Sequence, residues 1–271
     1  FGAQAVMSGT QDVIISGGVE AMSTVEMGSN VRDGLANGRG IPEGERLEIQ
    51  YPGIQFSQFD GAELLAEKYE ITRDELDAFA LSSHQRAWEA TQKGYFEKEI
   101  VPLNIKLEDG TADVHKVDEG IRPEASLEGL QGLNVLREGG VITAGSASQI
   151  SDGAAAILIA NEGAVKKHGL QVRAKIHSLA VVGSDPVIML EGPIPATIKV
   201  LEKAGLSIDD IDLYEVNEAF GSVPLAWAKA VGADLSKLNV NGGAQALGHP
   251  LGGTGAKLMT TLVHELERRG G

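Results

Sequence analysis

The stretch Asn239-Val240-Asn241-Gly242-Gly243-Ala244-Gln245-Ala246-Leu247-Gly248-His249-Pro250-Leu251-Gly252-Gly253-Thr254-Gly255-Ala256 crowds glycines, a proline and one histidine into a loop that runs directly into a helix. Beyond it, Ala256, Met259, Leu262, Val263 and Leu266 share one helical face, and Lys257, His264, Glu265 and Glu267 share the other. Arg268-Arg269 suit the last turn and Gly270-Gly271 end it. Such a loop can bring backbone N–H groups and an imidazole close to a ligand. Its spacing alone fits a phosphate loop, a plain strand-to-helix connection or a catalytic loop. His84, His115, His168, His177 and His264 lack the setting of His249, wedged between glycine and proline. A fixed imidazole there suits a general base or an oxyanion donor, and a structural hydrogen-bonding role is the alternative.

Upstream, Asp212-Leu213-Tyr214-Glu215-Val216 reads as a strand running into Asn217-Glu218-Ala219-Phe220. A carboxamide at a strand end can orient water or a carbonyl, or cap the next helix, and both roles are compatible with a crevice at the strand ends. Pro195 to Ala204 reads as a helix closed by Gly205, and Arg173 to Val182 as the start of a second α/β unit. Thr143-Ala144-Gly145-Ser146-Ala147-Ser148 through Asp152-Gly153-Ala154-Ala155-Ala156 is a cluster of small residues that lets backbone approach backbone or a thin ligand. No G-x-S-x-G elbow accompanies it, and no His-Glu-x-x-His or paired carboxylate-histidine spacing marks a metal site.

At the front of the chain, Gly2 to Met7 reads as a helix, Asp12 to Ser16 as a buried strand, and Gly17-Gly18 as its turn. This helix-glycine-strand rhythm predicts an α/β protein with a parallel or mixed sheet. From Met22 to Gly140 the sequence becomes acidic, glycine-punctuated and poor in strand signal. Asp60 to Tyr69 predicts one helix, and Thr72-Arg73-Asp74-Glu75 is a capping box opening a second that reaches Lys93-Gly94. Strand-like sequence returns at Val141-Ile142-Thr143 and at Gly153 to Ala160.

The 271 residues include 35 glycines and no cysteine, with 42% apolar residues and a formal charge of −15. That apolar share closes a core, and the charge disfavours nucleic-acid or anionic-membrane partners. Most of the acidic excess lies in the first 141 residues, which hold 25 Asp/Glu against 12 Lys/Arg. No apolar run approaches bilayer length, so no membrane partner and a cytoplasmic setting are expected. Phe1 opens the sequence directly on a helix, which predicts a start upstream. Without cysteine these residues have no thiol nucleophile or thiolate metal ligand of their own.

Taken in order, these segments resemble the thiolase family, the acetyl-CoA C-acyltransferases. Asn217-Glu218-Ala219-Phe220 is similar to its Asn-Glu-Ala-Phe motif, and Gly242-Gly243-Ala244 with Ala246 to Gly252 and Thr254-Gly255-Ala256 is similar to its histidine motif. Gln4-Ala5, Gly17-Gly18-Val19-Glu20 with Met22-Ser23, and Thr143-Ala144-Gly145 with Asp152-Gly153-Ala154-Ala155 also fit. The resemblance implies two βαβαβαββ halves in a five-layered αβαβα fold, incomplete at both ends. Residues 1–22 would be a remnant of the N-terminal half, 23–140 a helical, acidic insertion covering coenzyme A, 141–168 a return to that half, and 169–271 the C-terminal half.

The same resemblance implies a reaction. A cysteine thiolate attacks a 3-ketoacyl-CoA, acetyl-CoA leaves, and a second CoA removes the acyl group held as a thioester; in reverse, an acetyl-CoA enolate condenses with it. On this reading His249 activates the nucleophile and donates to the thioester oxygen, and Asn217 holds a water at the oxyanion site. Ser148 would touch the pantetheine arm, Arg122 the adenine end of CoA, and Ala219 and Phe220 the acyl pocket. No metal or permanently bound cofactor is expected; CoA and acyl-CoA are co-substrate and substrate, and the protein would be a homodimer or homotetramer.

Two departures stand out. Ser146 occupies a position where the family often has Asn, and neither family cysteine is present. Both are expected outside this stretch, roughly ten residues before its start and roughly ten after its end, an offset as loose as element boundaries generally are. The surroundings of Ser57-Gln58-Phe59 and Asp118-Glu119-Gly120-Ile121-Arg122-Pro123 resemble degradative, broad-range acyltransferases more than dedicated biosynthetic ones. The rival reading is a non-catalytic thiolase-like protein that binds acyl-CoA or a partner subunit.

Overall fold

A computed structural model describes residues 1–41 and 43–270. Helix α1 (Gly2–Met7) leads into strand β1 (Val13–Ala21). Helices α2 (Ser29–Ala36), α3 (Glu45–Gln50), α4 (Gln58–Lys68) and α5 (Arg73–Gln92) follow, then the hairpin strands β2 (Leu103–Lys106) and β3 (Ala112–His115) and helix α6 (Leu127–Gln131). Strand β4 (Asp152–Ala160) and α7 (Glu162–His168) precede α8 (Pro193–Ala204), α9 (Ser222–Val231), α10 (Ala244–Leu247) and α11 (Thr254–Arg269). Among the described residues the sheets are two antiparallel pairs, β1 with β4 and β2 with β3. The α/β class therefore holds. The expected parallel or mixed sheet is not formed among the described residues, where parallel pairing is confined to one bridge, Tyr214 with Leu238.

The helices start where local chemistry places them. Thr72 caps α5 as a complete capping box: its hydroxyl accepts from the Glu75 N–H at 3.3 Å, and its own N–H donates to Glu75 Oε2 at 2.7 Å. Ser57 caps α4, and glycines in the left-handed region close α8 at Gly205 and α11 at Gly270. Gly271 lies outside the described residues.

Three expected strands are absent as strands; at Val141-Ile142 and Val216 side chains take the backbone groups that a neighbouring strand would need. The N–H groups of Val141 and Ile142 donate to the Glu63 carboxylate at 2.8 and 3.0 Å, leaving Thr143 only a bridge to Val135. The Val216 N–H donates to Asn239 Oδ1 at 2.9 Å and its carbonyl accepts from Asn239 Nδ2 at 2.8 Å, which stops the Asp212–Val216 run from pairing further. Along 173–182, Lys203 and Lys199 of α8 donate to the carbonyls of Leu179 and Val181, each at 2.9 Å. Conversely, the β2–β3 hairpin arises inside the acidic excursion, where little strand signal was visible.

Gly17-Gly18 does not turn the first strand either. Strand β1 passes straight through both, and Gly18 faces Ala155 across the ladder. The glycine is needed for approach: a Cβ there would overlap the carbonyl oxygen of Gly252, which lies against the strand. The loop is held there by the Gly252 N–H, donating to Glu20 Oε2 at 3.0 Å. Sheet β1–β4 thus carries α11 and the loop before it.

The larger core joins α4, α8 and α9 through Ala62, Leu65, Ile194, Val223 and Trp227, with Leu76 at the start of α5. A smaller cluster sets Ala87 and Ala90, near the end of α5, against Ala246 and Leu247 of α10. Helix α5 therefore runs from one core to the other, and the acidic segment shares its core with the second half of the chain.

After α5 the chain brings Glu99 against α11. Thr261 Oγ1 donates to Glu99 Oε1 at 3.4 Å, and His264 Nδ1, which donates to the Thr260 carbonyl, stands 3.6 Å from Glu99 Oε2. Burial pushes the Glu99 carboxyl up to about 7, opposed by the Thr261 hydrogen bond and by Lys257.

Two predictions follow from these contacts. Gly18→Ala should destabilise the fold by about 1–3 kcal/mol, because backbone meets backbone and no rotamer relieves the overlap; an unchanged urea midpoint would disprove the approach. The raised Glu99 pKa means that between 4.5 and about 7 the folded state keeps a proton the unfolded chain has released, so stability falls as pH rises through that window. Relative to Glu99→Gln, the parent should lose on the order of 1 kcal/mol per pH unit there. Parallel urea-stability profiles of the two proteins between pH 5 and 7.5 would contradict it.

Candidate active site

The loop after α10 and the segment after Val216 meet at one pair of side chains. Asn217 Nδ2 and His249 Nε2 are 3.2 Å apart. On the other side of the ring, His249 Nδ1 is 2.7 Å from Thr254 Oγ1, and that hydroxyl donates to the Pro250 carbonyl at 2.9 Å. The protonation pattern follows from these partners. With the Thr254 proton on the Pro250 carbonyl, which also accepts the N–H groups of Gly253 and Thr254, Thr254 would accept and Nδ1 would carry the imidazole N–H. Nε2 is then the bare nitrogen and accepts from Asn217 Nδ2. Burial holds the His249 pKa below its ordinary value, and Lys257, one turn further along α11 than Thr254, adds to the effect. A neutral imidazole with its lone pair on Nε2 is the form that takes a proton from an attacking group.

Backbone bonds fix the ring's position. The His249 N–H donates to Ser151 Oγ at 3.0 Å, and Ser151 Oγ donates to the Gln149 carbonyl at 3.1 Å. Gln149 Nε2 donates to the carbonyls of Gly120 and Gln245 at 2.8 and 2.7 Å, tying the small-residue cluster to the loop. Asn217 is half-buried, and its Oδ1 is buried without a protein hydrogen-bond partner. A buried amide oxygen in that state needs a donor from outside the chain.

Beside Asn217, Glu218 is 1% exposed. Its Oε2 accepts from Ser83 Oγ at 2.7 Å and from the Gln245 N–H at 3.0 Å, and its Oε1 accepts from Asn239 Nδ2 at 2.9 Å. Ser83 in turn accepts from the Gly243 N–H at 3.0 Å. Burial pushes the Glu218 pKa up, while the bonds from Asn239, Ser83 and Gln245 and the charge of Lys257 pull it back. Gly243 has no alternative residue here, since a side chain would run into the Glu218 carboxylate. Asn239 adopts a left-handed backbone, φ 43°, which Asn tolerates better than most residues.

The other predicted residues lie around this centre. The Ser148 N–H donates to the Ala219 carbonyl at 3.0 Å, so these two are neighbours, and Ala147 bridges Phe220. Phe220 is 3% exposed, and its ring packs edge-on to Phe59 at 5.4 Å in the larger core. Arg122 is exposed at its side chain, and its N–H donates to Nδ1 of the buried His84 at 3.2 Å. Ser146 is fully buried and binds Thr143 within its own turn: its Oγ accepts from the Thr143 N–H at 2.9 Å. Glu218, Thr254, Ser83 and Asn239 were given no individual role from sequence. An acid flanked by apolar residues, as Glu218 is between Val216 and Ala219-Phe220, is the signal that was present.

The comparisons with known proteins agree with this assembly. Residues 1–163 match the family model of the thiolase N-terminal domain, and residues 170–271 that of the thiolase C-terminal domain. The chain is 52% identical over 273 residues to the steroid 3-ketoacyl-CoA thiolase FadA6 of Mycobacterium tuberculosis, with all of this chain and 66% of that protein aligned. It is 44% identical over 281 residues to the human mitochondrial 3-ketoacyl-CoA thiolase, covering all of this chain and 70% of that one. The crystal structure of the human enzyme superposes with a TM-score of 0.86 over 99% of this chain and 69% of its own, and its complex with CoA with a TM-score of 0.83. The chain thus spans about two thirds of the length of these relatives. Two adjoining domain models, identities of 44–52% and a shared fold together place it in the thiolase family.

Proposed function

We propose that this chain carries the base and the orienting machinery of a 3-ketoacyl-CoA thiolase, an acyltransferase that cleaves 3-ketoacyl-CoA with CoA to give acetyl-CoA and a shortened acyl-CoA. The observation that carries the reading is the His249–Asn217 pair: an imidazole Nε2 3.2 Å from the Nδ2 of a half-buried carboxamide whose Oδ1 lacks a protein donor. The names of the relatives, and the CoA complex of the human enzyme, support the substrate class.

In this scheme a thiol supplied from outside these residues passes its proton to His249 Nε2, and the thiolate attacks the 3-keto carbon. The bond between C2 and C3 breaks, acetyl-CoA leaves as its enolate and takes a proton from an acid that is likewise supplied from outside these residues, and the acyl group stays on the sulfur. Once protonated, His249 has two N–H groups: Nδ1–H on Thr254, and Nε2–H free to donate to the thioester oxygen. Asn217, displaced from Nε2, holds a water at the oxyanion site. A second CoA thiol then gives its proton to that outside acid/base group and takes the acyl group, and the departing enzyme thiolate recovers its proton from His249 Nε2, a ping-pong sequence. The non-catalytic alternative leaves this ordered array without a use.

Ser148 at the pantetheine arm, Arg122 at the adenine end, and Ala219 with Phe220 at the acyl pocket belong to the same proposal. Ser148 and Ala219 being neighbours of Asn217 along one backbone strip supports it, as does the surface position of the Arg122 side chain. The same proposal includes the division of the chain into an N-terminal half with its helical insertion and a C-terminal half, no resident cofactor or metal, and a homodimeric or homotetrameric assembly. No described helix is long and apolar enough to cross a membrane. A cytoplasmic setting is retained in the proposal, although mitochondrial and bacterial proteins are both among the relatives.

In a polypeptide that supplies the thiol, His249→Ala should lower thiolysis of a 3-ketoacyl-CoA by about 10²–10⁴-fold while the protein stays folded. Turnover near the parent's would overturn the assignment. Comparing acetoacetyl-CoA with longer and with steroid-bearing 3-ketoacyl-CoA thioesters separates the broad-range reading from a dedicated acetyl transfer: cleavage of acetoacetyl-CoA alone would refute the former.

A further inference from the structure

We propose that Thr254 is the positioning residue that keeps the His249 proton on Nδ1 and so leaves Nε2 free to act as the base. The inference rests on the acyl-transfer reading for its use, but on geometry for its existence. Thr254 is 6% exposed and sits at the first position of α11, five residues after the histidine it faces. Its hydroxyl is held by two fixed neighbours, 2.7 Å from His249 Nδ1 and 2.9 Å from the Pro250 carbonyl. The Pro250 carbonyl also accepts the N–H groups of Gly253 and Thr254, but two oxygens 2.9 Å apart repel without a proton between them, so the hydroxyl proton lies toward Pro250 and its lone pairs are what Nδ1 meets. Nδ1 must therefore donate. The direction of one hydroxyl fixes the tautomer of the ring.

The choice of a hydroxyl also has a consequence for charge. Many paired histidines are backed by a carboxylate, which stabilises the imidazolium and raises its pKa. Here the backing group is neutral, and the charged group that bears on His249 is Lys257, a cation on the same helix, while burial acts in the same direction. The ring thus accepts a proton from the thiol and is not held in the charged form between turnovers. A second feature shows what Thr254 prevents. Asn217 Oδ1 is buried and has no donor from the chain. Rotation of that amide would present Oδ1 to Nε2, a geometry that suits the opposite tautomer, with Nε2 protonated and useless as a base. The Thr254–Nδ1 bond weights the choice against it.

The test reads the tautomer directly and needs no turnover. In the ¹⁵N-labelled 271-residue chain, long-range ¹H–¹⁵N spectra distinguish a protonated ring nitrogen from a bare one, and the His249 signals are assigned by their loss in His249→Gln. The parent should show Nδ1 protonated and Nε2 bare. A parent spectrum with Nε2 protonated overturns the proposal before any variant is made. Thr254→Val, close in shape and lacking the hydroxyl, should move the population toward Nε2–H, and Thr254→Ser should restore the parent pattern. A folded Val variant with an unchanged pattern also overturns it.

Thr254→Asp should raise the pH midpoint of the His249 titration by about one unit or more, as a carboxylate partner does; an unmoved midpoint would show that this position does not govern the ring. In a polypeptide that supplies the thiol, Thr254→Val should lower kcat about 10²-fold with KM little changed, and Thr254→Ser should recover most of the loss. The two levels fail separately. A parent with the expected tautomer and no thiolysis refutes the function, and thiolysis by a parent with the opposite tautomer refutes the role of Thr254.

Discussion

The carboxylate of Glu218 is the point on which the site is built. It is buried, every hydrogen-bond partner it has is a donor, and the donors come from three separate parts of the chain: Ser83 in α5, Asn239 before the histidine loop, and the Gln245 N–H in α10. Removing the carboxylate would strand all three, each at about 1–3 kcal/mol. Retaining it requires them to converge, and that convergence fixes the path of the segment carrying Asn217 relative to the loop carrying His249. A hydrophobic substitute would leave those paths to packing, which is less directional than three hydrogen bonds.

From this point the constraint spreads in two directions. Through Asn239, whose side chain takes both backbone groups of Val216, it ends the Asp212–Val216 run just before Asn217. Through Ser83 it reaches α5, which touches both apolar clusters. The histidine loop is then clamped from its far side by sheet β1–β4, where Gly18 and Gly252 meet backbone to backbone and Glu20 holds the Gly252 N–H. His249 is therefore set by two rigid bodies, and its ring by a third contact, Thr254 at the head of α11. The proposed role of a base, whose nitrogen would stand within hydrogen-bond reach of a thiol, benefits from these holds on the ring.

Much of this is legible in the sequence, and the limits have a physical pattern. The capping box at Thr72 and the C-terminal glycines of α8 and α11 depend on residues within a turn of one another, and each forms as expected, whereas the apolar face read for α11 is not its buried one: Met259 is 41% exposed, and Thr261 and Glu265 are buried, Glu265 through its bonds from Asn241, Arg268 and Arg269. The motif-bearing pair His249 and Asn217 is brought together because both lie in loops whose ends are fixed by neighbouring elements. What was misread depends on partners distant in sequence. Val141-Ile142-Thr143 has strand composition, and its N–H groups go to Glu63, some 80 positions earlier. Gly17-Gly18 has the composition of a turn, and the glycine serves a contact with a residue over 230 positions away. Thr254 and Glu218 sit inside quoted motifs, but no local pattern distinguishes a hydroxyl that fixes a tautomer from one that merely starts a helix.

Sheet β1–β4 extends the same reasoning to the whole architecture. One of its faces packs on α1 and α11 and carries Ile14, Gly18, Ala155, Ile157 and Ile159. The opposite face is formed by Val13, Ile15, Gly17, Val19 and Ala21 with Ala154, Ala156, Leu158 and Ala160, and Ile15, Val19 and Leu158 are exposed on it at 73, 71 and 54%. An antiparallel sheet that meets water on one side alternates apolar with polar residues; here the packed face includes Ser16 and Glu20, and the face toward water has Asp152 as its one polar side chain. Such strands belong in the interior of a layered structure with material on each side, which is the arrangement implied by a thiolase fold of alternating helical and sheet layers. The described chain supplies one of those neighbouring layers, and it is the layer whose α11 positions Thr254 behind His249. The side of the sheet that faces the histidine loop is thus packed by helices of the described chain, while its other side presents Ile15, Val19 and Leu158.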